Sequence, residues 1–103
     1  MTAVAIVDHE RATRERVARI IDSCNHLCLA GAFGNVERAL NGLDSTSVEI
    51  ALVEVELPDL PGAKSVHELK CAFPDIKIIV YARREERSTI LQCLKAGALG
   101  YLT

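Results

Sequence analysis

The sequence predicts an α/β fold: a doubly wound, five-stranded parallel sheet with helices on both faces. Two observations predict it. Short apolar runs alternate with helix-period stretches, five of the first and four of the second, along 103 residues. One of those runs lies in EIALVEVELPDLPG, Glu49 to Gly62, and is nearly continuous: Ile50, Ala51, Leu52, Val53 and Val55 are apolar. A strand reads this way when helices cover both of its faces. Glu54 interrupts the run near its end, and the Pro58 to Gly62 turn follows at once. In open α/β sheets, ligands and chemistry sit just outside the carboxyl ends of the strands. Glu54 therefore stands at the working edge of the fold. Spacing alone fits a merely solvated strand end equally well.

Each element has its own justification. Ala3 to Val7 (AVAIV) reads as a short buried strand ending at Asp8. Glu10 to Asp22 reads as a helix, with Val17, Ile20, Ile21 and Cys24 on one stripe and Arg11, Arg14, Glu15 and Arg19 toward water. Leu27 to Phe33 is a second strand, closed by Gly34. Asn35 is an N-cap for a short helix with the apolar face Val36, Ala39, Leu40 and Leu43. The polar stretch Asn41 to Ser47 leads into the central strand. After Pro61-Gly62, Val66, Leu69, Ala72 and Phe73 form a third helical stripe, which Pro74 ends. Ile76 to Tyr81 is the fourth strand. Glu85 to Ala96 is the fourth helix, with Ile90, Leu91 and Leu94 inward and Gly97 as its C-terminal cap. Ala98 to Leu102 is the fifth strand.

Composition narrows the class. A chain this long makes one domain, residues 1–103, with a modest core. A formal charge of −2 gives no bulk basic character, so the segment itself is not built to grip nucleic acid. Cys24, Cys28, Cys71 and Cys93 form no CxxC pair, and Cys24 with Cys28 lacks a second ligand pair for a metal. They read as buried reduced thiols. The first apolar run is far too short for a membrane span or a signal peptide. The expected setting is reducing and cytoplasmic. A fifth strand at a sheet edge normally feeds a last helix packed beside the first; that helix is absent, which implies a longer protein or a partner over the half-bare face.

Four stretches carry a family resemblance: VAIVD at Val4 to Asp8, LPDLPG at Leu57 to Gly62, FPDIKIIV at Phe73 to Val80 and LKAGALGYL at Leu94 to Leu102. In this order and at these separations they resemble the receiver domain of two-component response regulators. The nearest subgroup is the one whose receiver precedes a LuxR- or NarL-type helix-turn-helix. The resemblance implies a flavodoxin-like strand order of 2-1-3-4-5, a place in phosphorelay signalling, a homodimer, and an attached output domain through which DNA is bound. A regulatory protein partner is a further expectation.

The resemblance also implies a site. In the family an aspartate ending the third strand takes a phosphoryl group, and two acids after the first strand join it to hold Mg²⁺. A hydroxyl after the fourth strand and a lysine after the fifth bind phosphoryl oxygens, and an aromatic on the fifth strand switches inward. Here Asp8 stands for the first acid and is retained. His9 falls on the second acid, Glu54 on the phosphoacceptor and Ala82 on the hydroxyl, with Tyr81 one position earlier. Tyr101 falls on the switch aromatic and is retained. The lysine would follow Thr103.

Imidazole in place of a carboxylate weakens a magnesium site, because Mg²⁺ demands octahedral oxygen ligands. Asp8 and Glu54 remain only weak metal candidates, and no cofactor is expected. Glu54 carries its carboxylate one methylene further out than aspartate, toward where a phosphoryl group would sit. Ala82 cannot bond a phosphoryl oxygen. A contact from His9 to Glu54 or Asp8 would supply the missing positive charge, and Arg83 or Arg84 could do the same. Ala82 leaves a gap for an inward Tyr101; alternatively Tyr101 is a plain edge aromatic. His26 and His67 read as surface residues.

The expectation is a non-enzymatic, phosphorylation-independent receiver that controls a DNA-binding module. A free-standing interaction module and a conventionally phosphorylated receiver are the alternatives. An enzyme lacks any phosphate loop, nucleophile elbow or acid–base pair to support it.

Overall fold

The computed structural model describes residues 1–58, 60–82 and 86–102. Five strands and four helices alternate: β1 (Thr2–Val7), α1 (Arg11–Ser23), β2 (Leu27–Phe33), α2 (Val36–Gly42), β3 (Ile50–Glu54), α3 (Gly62–Ala72), β4 (Lys77–Tyr81), α4 (Arg87–Ala96) and β5 (Gly100–Leu102). All pairings are parallel, in the order β2-β1-β3-β4-β5. Both the architecture and the strand order are those expected from the sequence.

The period of two along the strands divides the core. Ala5 and Val7 of β1, Ala51 and Val53 of β3, and Ile78 and Val80 of β4 point to the face covered by α2, α3 and α4. There they pack with Val36, Val66, Leu69 and Cys93 in the main core. Val4 and Ile6 point to the other face and pack with Ile21 of α1, where Ile50 and Leu52 stay partly exposed. Asn35 caps α2 through its side-chain oxygen, which accepts the Arg38 N–H at 2.8 Å. Gly97 ends α4 at φ +123°, a conformation that a Cβ would strain. Gly62 opens α3 against the end of β3: a Cβ there would lie 3.1 Å from the Val55 carbonyl and from Cys93 Sγ.

The inward stripes are narrower than the sequence suggests. Ile20 and Leu91 are exposed while their neighbours Ile21 and Ile90 are buried. Adjacent helical residues sit about 100° apart, so only one of each pair reaches the sheet. Ala72 and Cys24 also face water, at the ends of their helices. Among the cysteines only Cys93 is buried; Cys24 and Cys71 are exposed and Cys28 is intermediate, against the expected four buried thiols. Helix α2 runs on through Gly42, into the stretch read as loop, and β5 starts at Gly100, two residues late. The start of α4 expected at Glu85 lies outside the described residues.

Candidate functional site

Three strands deliver their last residues to one corner. Asp8 follows β1, Glu54 ends β3, and Tyr81, its register partner, ends β4. Asp8 is 1% exposed and Glu54 4%, so two carboxylates are buried side by side. Such burial is costly unless every oxygen finds donors. Among the described residues no buried side-chain polar atom lacks a partner.

The donors are local. Asp8 Oδ1 accepts the Glu10 N–H at 2.8 Å, which starts α1, and Oδ2 accepts the Tyr81 hydroxyl. The Asp8 carbonyl accepts Arg14 Nη1 at 2.8 Å. Glu54 Oε2 accepts the His9 N–H at 3.0 Å and lies 2.8 Å from His9 Nδ1. The same residue thus grips Glu54 through backbone and ring. The His9 side chain is 42% exposed, so the corner opens to solvent on that side only as far as the ring allows.

The electrostatics follow from this packing. Burial pushes the Glu54 carboxyl up and neighbouring Asp8 adds to it, while the His9 bonds oppose without cancelling the rise. The hydrogen bond to Glu54 raises His9 above an ordinary imidazole, against desolvation, which lowers it. As a pair the two groups hold a proton more tightly than either would in water. The imidazole and both carboxylates each offer one ligand atom, and these atoms all lie within 4.8 Å of one another.

The residues singled out in the sequence fall into two places. Asp8, His9 and Glu54 converge, and of the two contacts weighed for the His9 ring the one to Glu54 forms. Tyr81, noted only as the neighbour of Ala82, proves to be part of the corner through its hydroxyl. Its register opposite Glu54 at the end of β4 brings it there. Arg14, read as facing water, instead braces the Asp8 carbonyl. Ala82 is buried and lines a cavity of about 210 Å³ with Val55, Gly62, Glu86 and Ile90. Tyr101 does not fill that gap: it is 46% exposed on edge strand β5, beside Arg87, Leu91 and Leu94. Of the two readings left open for Tyr101, the structure has the plain edge aromatic: β5 pairs Tyr101 with Val80, and the side chain lies outward beside Leu91 and Leu94 of α4. Arg83 and Arg84 lie outside the described residues. His26 and His67 are exposed, as expected. Among the described residues no helix is long and apolar enough to cross a membrane.

Relatives share this scaffold. The chain is 27% identical to the response regulator GacA of Pseudomonas viridiflava over its whole length, which is 48% of that protein. It is 25% identical to the transcriptional regulatory protein DegU of Brevibacillus brevis, over 96% of this chain and 42% of the relative. It spans about half the length of these regulators. Among solved structures, a LuxR-family two-component response regulator from Aurantimonas sp. SI85-9A1 superposes with a TM-score of 0.87 at 20% identity, covering 98% of this chain and 73% of that one. The receiver domain of a NarL response regulator from Mycobacterium tuberculosis gives 0.86 at 21% identity, covering 98% and 82%. The family model for the response regulator receiver domain matches residues 4–103, so this chain belongs to the receiver domains of two-component response regulators.

Proposed function

We propose that this receiver works without a phosphoryl cycle and controls an attached DNA-binding transcription-regulatory module. Glu54 stands at the phosphoacceptor position, with Asp8 and His9 at the acidic-pocket positions and Ala82 and Tyr101 at the switch positions. The observation that carries the reading is the double grip of His9 on the buried Glu54 carboxylate. An aspartate in an ordinary receiver needs a free oxygen to attack phosphorus and a cation to neutralise the charge that develops. Here the oxygen already accepts two donors and the cation is an imidazole inside the protein. Magnesium does not fit this donor set, since a ring nitrogen occupies an oxygen's place. Ala82 offers no hydroxyl to a phosphoryl oxygen.

The output rests on the relatives. Transcriptional regulators extend well beyond the matched segment, which suits a module joined after residue 103. Self-association would use the apolar groove of α4 and β5, where Leu91, Tyr101 and Leu102 are exposed. The domain would act through shape and association and not through catalysis.

Incubation with a small acyl phosphate and magnesium, followed by intact-mass measurement, tests the reading. The expected spectrum shows the unmodified mass. A triple variant, His9→Asp, Glu54→Asp and Ala82→Thr, restores the missing groups and should gain a phosphoryl group under the same conditions. A stoichiometric phosphate adduct on the unaltered chain would overturn the proposal.

A further inference from the structure

We infer that Asp8, His9 and Glu54 form a binding site for a borderline divalent transition-metal ion of the zinc class, in place of the hard magnesium ion. The inference rests on the reading that this pocket no longer runs a phosphoryl cycle.

The donor set is the first argument. One imidazole nitrogen and two carboxylate oxygens lie within 4.8 Å of one another. Imidazole suits zinc, nickel and copper, whereas all-oxygen sets suit magnesium, calcium and manganese. A catalytic-type zinc centre uses three protein ligands and leaves a fourth position for water. Ligand bonds of about 2.0–2.1 Å in tetrahedral geometry place neighbouring donors about 3.3 Å apart. His9 Nδ1 and Glu54 Oε2 stand at 2.8 Å. That edge opens by a few tenths of an ångström, and the edges to Asp8, which lie within 4.8 Å, close toward the same spacing.

Support and access are the second argument. The Glu10 N–H and the Tyr81 hydroxyl orient Asp8, as outer-sphere partners orient metal ligands elsewhere. Both carboxylates are more than nine-tenths buried, yet His9 is 42% exposed at the side chain, giving the ion an entry path and room for its water. The exchange balances: the metal takes the Nδ1 lone pair, and any proton shared between His9 and Glu54 leaves to solvent. The nearest rival is the exposed pair His67 and Cys71 on α3, with Sγ 3.5 Å from Nε2. It brings two donors where the corner brings three.

Zinc chloride titrated into chelator-stripped protein tests the site, with binding followed by calorimetry and by thermal unfolding. One saturable site per chain is expected, with a rise in melting temperature that magnesium at equal concentration does not produce. His9→Ala and Glu54→Gln, each checked for fold by circular dichroism, should each weaken binding by at least about a hundredfold, the upper range for loss of an outer-sphere partner. His9→Asp should move preference toward magnesium. Cobalt(II) in the same site should show visible ligand-field bands without sulfur-to-cobalt charge transfer. No saturation by about 1 mM zinc would overturn the inference. So would zinc binding that survives His9→Ala, or that is lost in a His67→Gln, Cys71→Ser variant. The acyl-phosphate assay stays separate: no zinc site and no adduct defeats this inference alone, while an adduct defeats the reading beneath it.

Discussion

The corner at Asp8, His9 and Glu54 and the groove between α4 and β5 are close in the fold and opposite in character. In the corner, buried carboxylates have their donors inside the protein. In the groove, Leu91, Tyr101 and Leu102 present apolar surface to water. The first region has its buried polar atoms matched by donors; the second leaves apolar side chains exposed. Just after β4, the buried Ala82 presents only a methyl group. The corner is tied to the start of α1, through the Glu10 N–H and the Arg14 guanidinium on Asp8. The difference teaches that polar matching in one region and apolar exposure in the other are set by separate elements: the corner is held by residues of α1, while the groove is left to α4 and β5.

The largest contrast sets a tightly packed glycine behind β3 against an open one on the edge strand beside the groove. Gly62 closes the turn behind β3, where an added Cβ meets the Val55 carbonyl and Cys93 Sγ at 3.1 Å. The carbonyl is backbone and cannot swing aside. Gly62→Ala should destabilise by about 1–3 kcal/mol, the usual cost of overpacking. Gly100 sits in β5 with no described atom within 4 Å of the same position and without a positive φ. Gly100→Ala should stabilise by about 0.4–1 kcal/mol, because it restricts only the unfolded chain. Urea denaturation of both variants measures the pair. Equal effects would erase the distinction between a packed turn behind β3 and an open edge at β5.

A smaller contrast uses the two tyrosines. The Tyr81 hydroxyl donates to the buried Asp8 carboxylate, while Tyr101 lies half exposed on the edge strand. Tyr81→Phe removes a hydrogen bond to a charged group and should cost about 1.5–3 kcal/mol. Tyr101→Phe should stay within about 0.5 kcal/mol of the unaltered chain. Thermal unfolding separates them, since each kilocalorie moves the midpoint of a domain this size by about 4–8 °C. A neutral Tyr81→Phe would remove Tyr81 from the corner.

How much of this was legible in the sequence depends on which force decides each feature. The nine elements were readable because burial period and breakers agree along every segment. Gly62, Pro74 and Gly97 punctuate where the structure does, and Val53 and Ile78 lie where period two puts them. Helix faces were less readable: Ile20 and Leu91 are as apolar as Ile21 and Ile90, and only the sheet's position chooses between them. The meeting of Asp8, His9 and Glu54 was foreseeable, because parallel strands end at one edge. The roles of Tyr81 and Arg14 were not, since a hydroxyl and a guanidinium can reach several partners and tertiary geometry selects one. The direction of Tyr101 was open for a related reason: register sets the face on which the ring stands, but the rotamer decides between the gap beside Ala82 and the surface of α4.

The smallest effect is the most discriminating. If the corner is wired to α1 and not to the α4–β5 groove, coupling energies should divide accordingly. Glu54→Gln removes charge from the corner at nearly constant volume. Tyr101→Ala truncates an edge side chain. Among the described residues, Ala82 is joined to β5 through its backbone, its N–H donating to the Leu102 carbonyl at 3.1 Å. Neither substitution touches it, so the double variant should be additive within about 0.5 kcal/mol. Arg14→Ala removes the brace on the Asp8 carbonyl, and Asp8 neighbours Glu54 in the corner. Combined with Glu54→Gln it should depart from additivity by about 0.5 kcal/mol or more, as residues in one polar network do. Urea denaturation of the two cycles, with sedimentation to hold the association state fixed, gives both coupling energies. Strong coupling in the Tyr101 cycle and none in the Arg14 cycle would mean that the corner still addresses the groove, through backbone movement that a methyl group at Ala82 does not block.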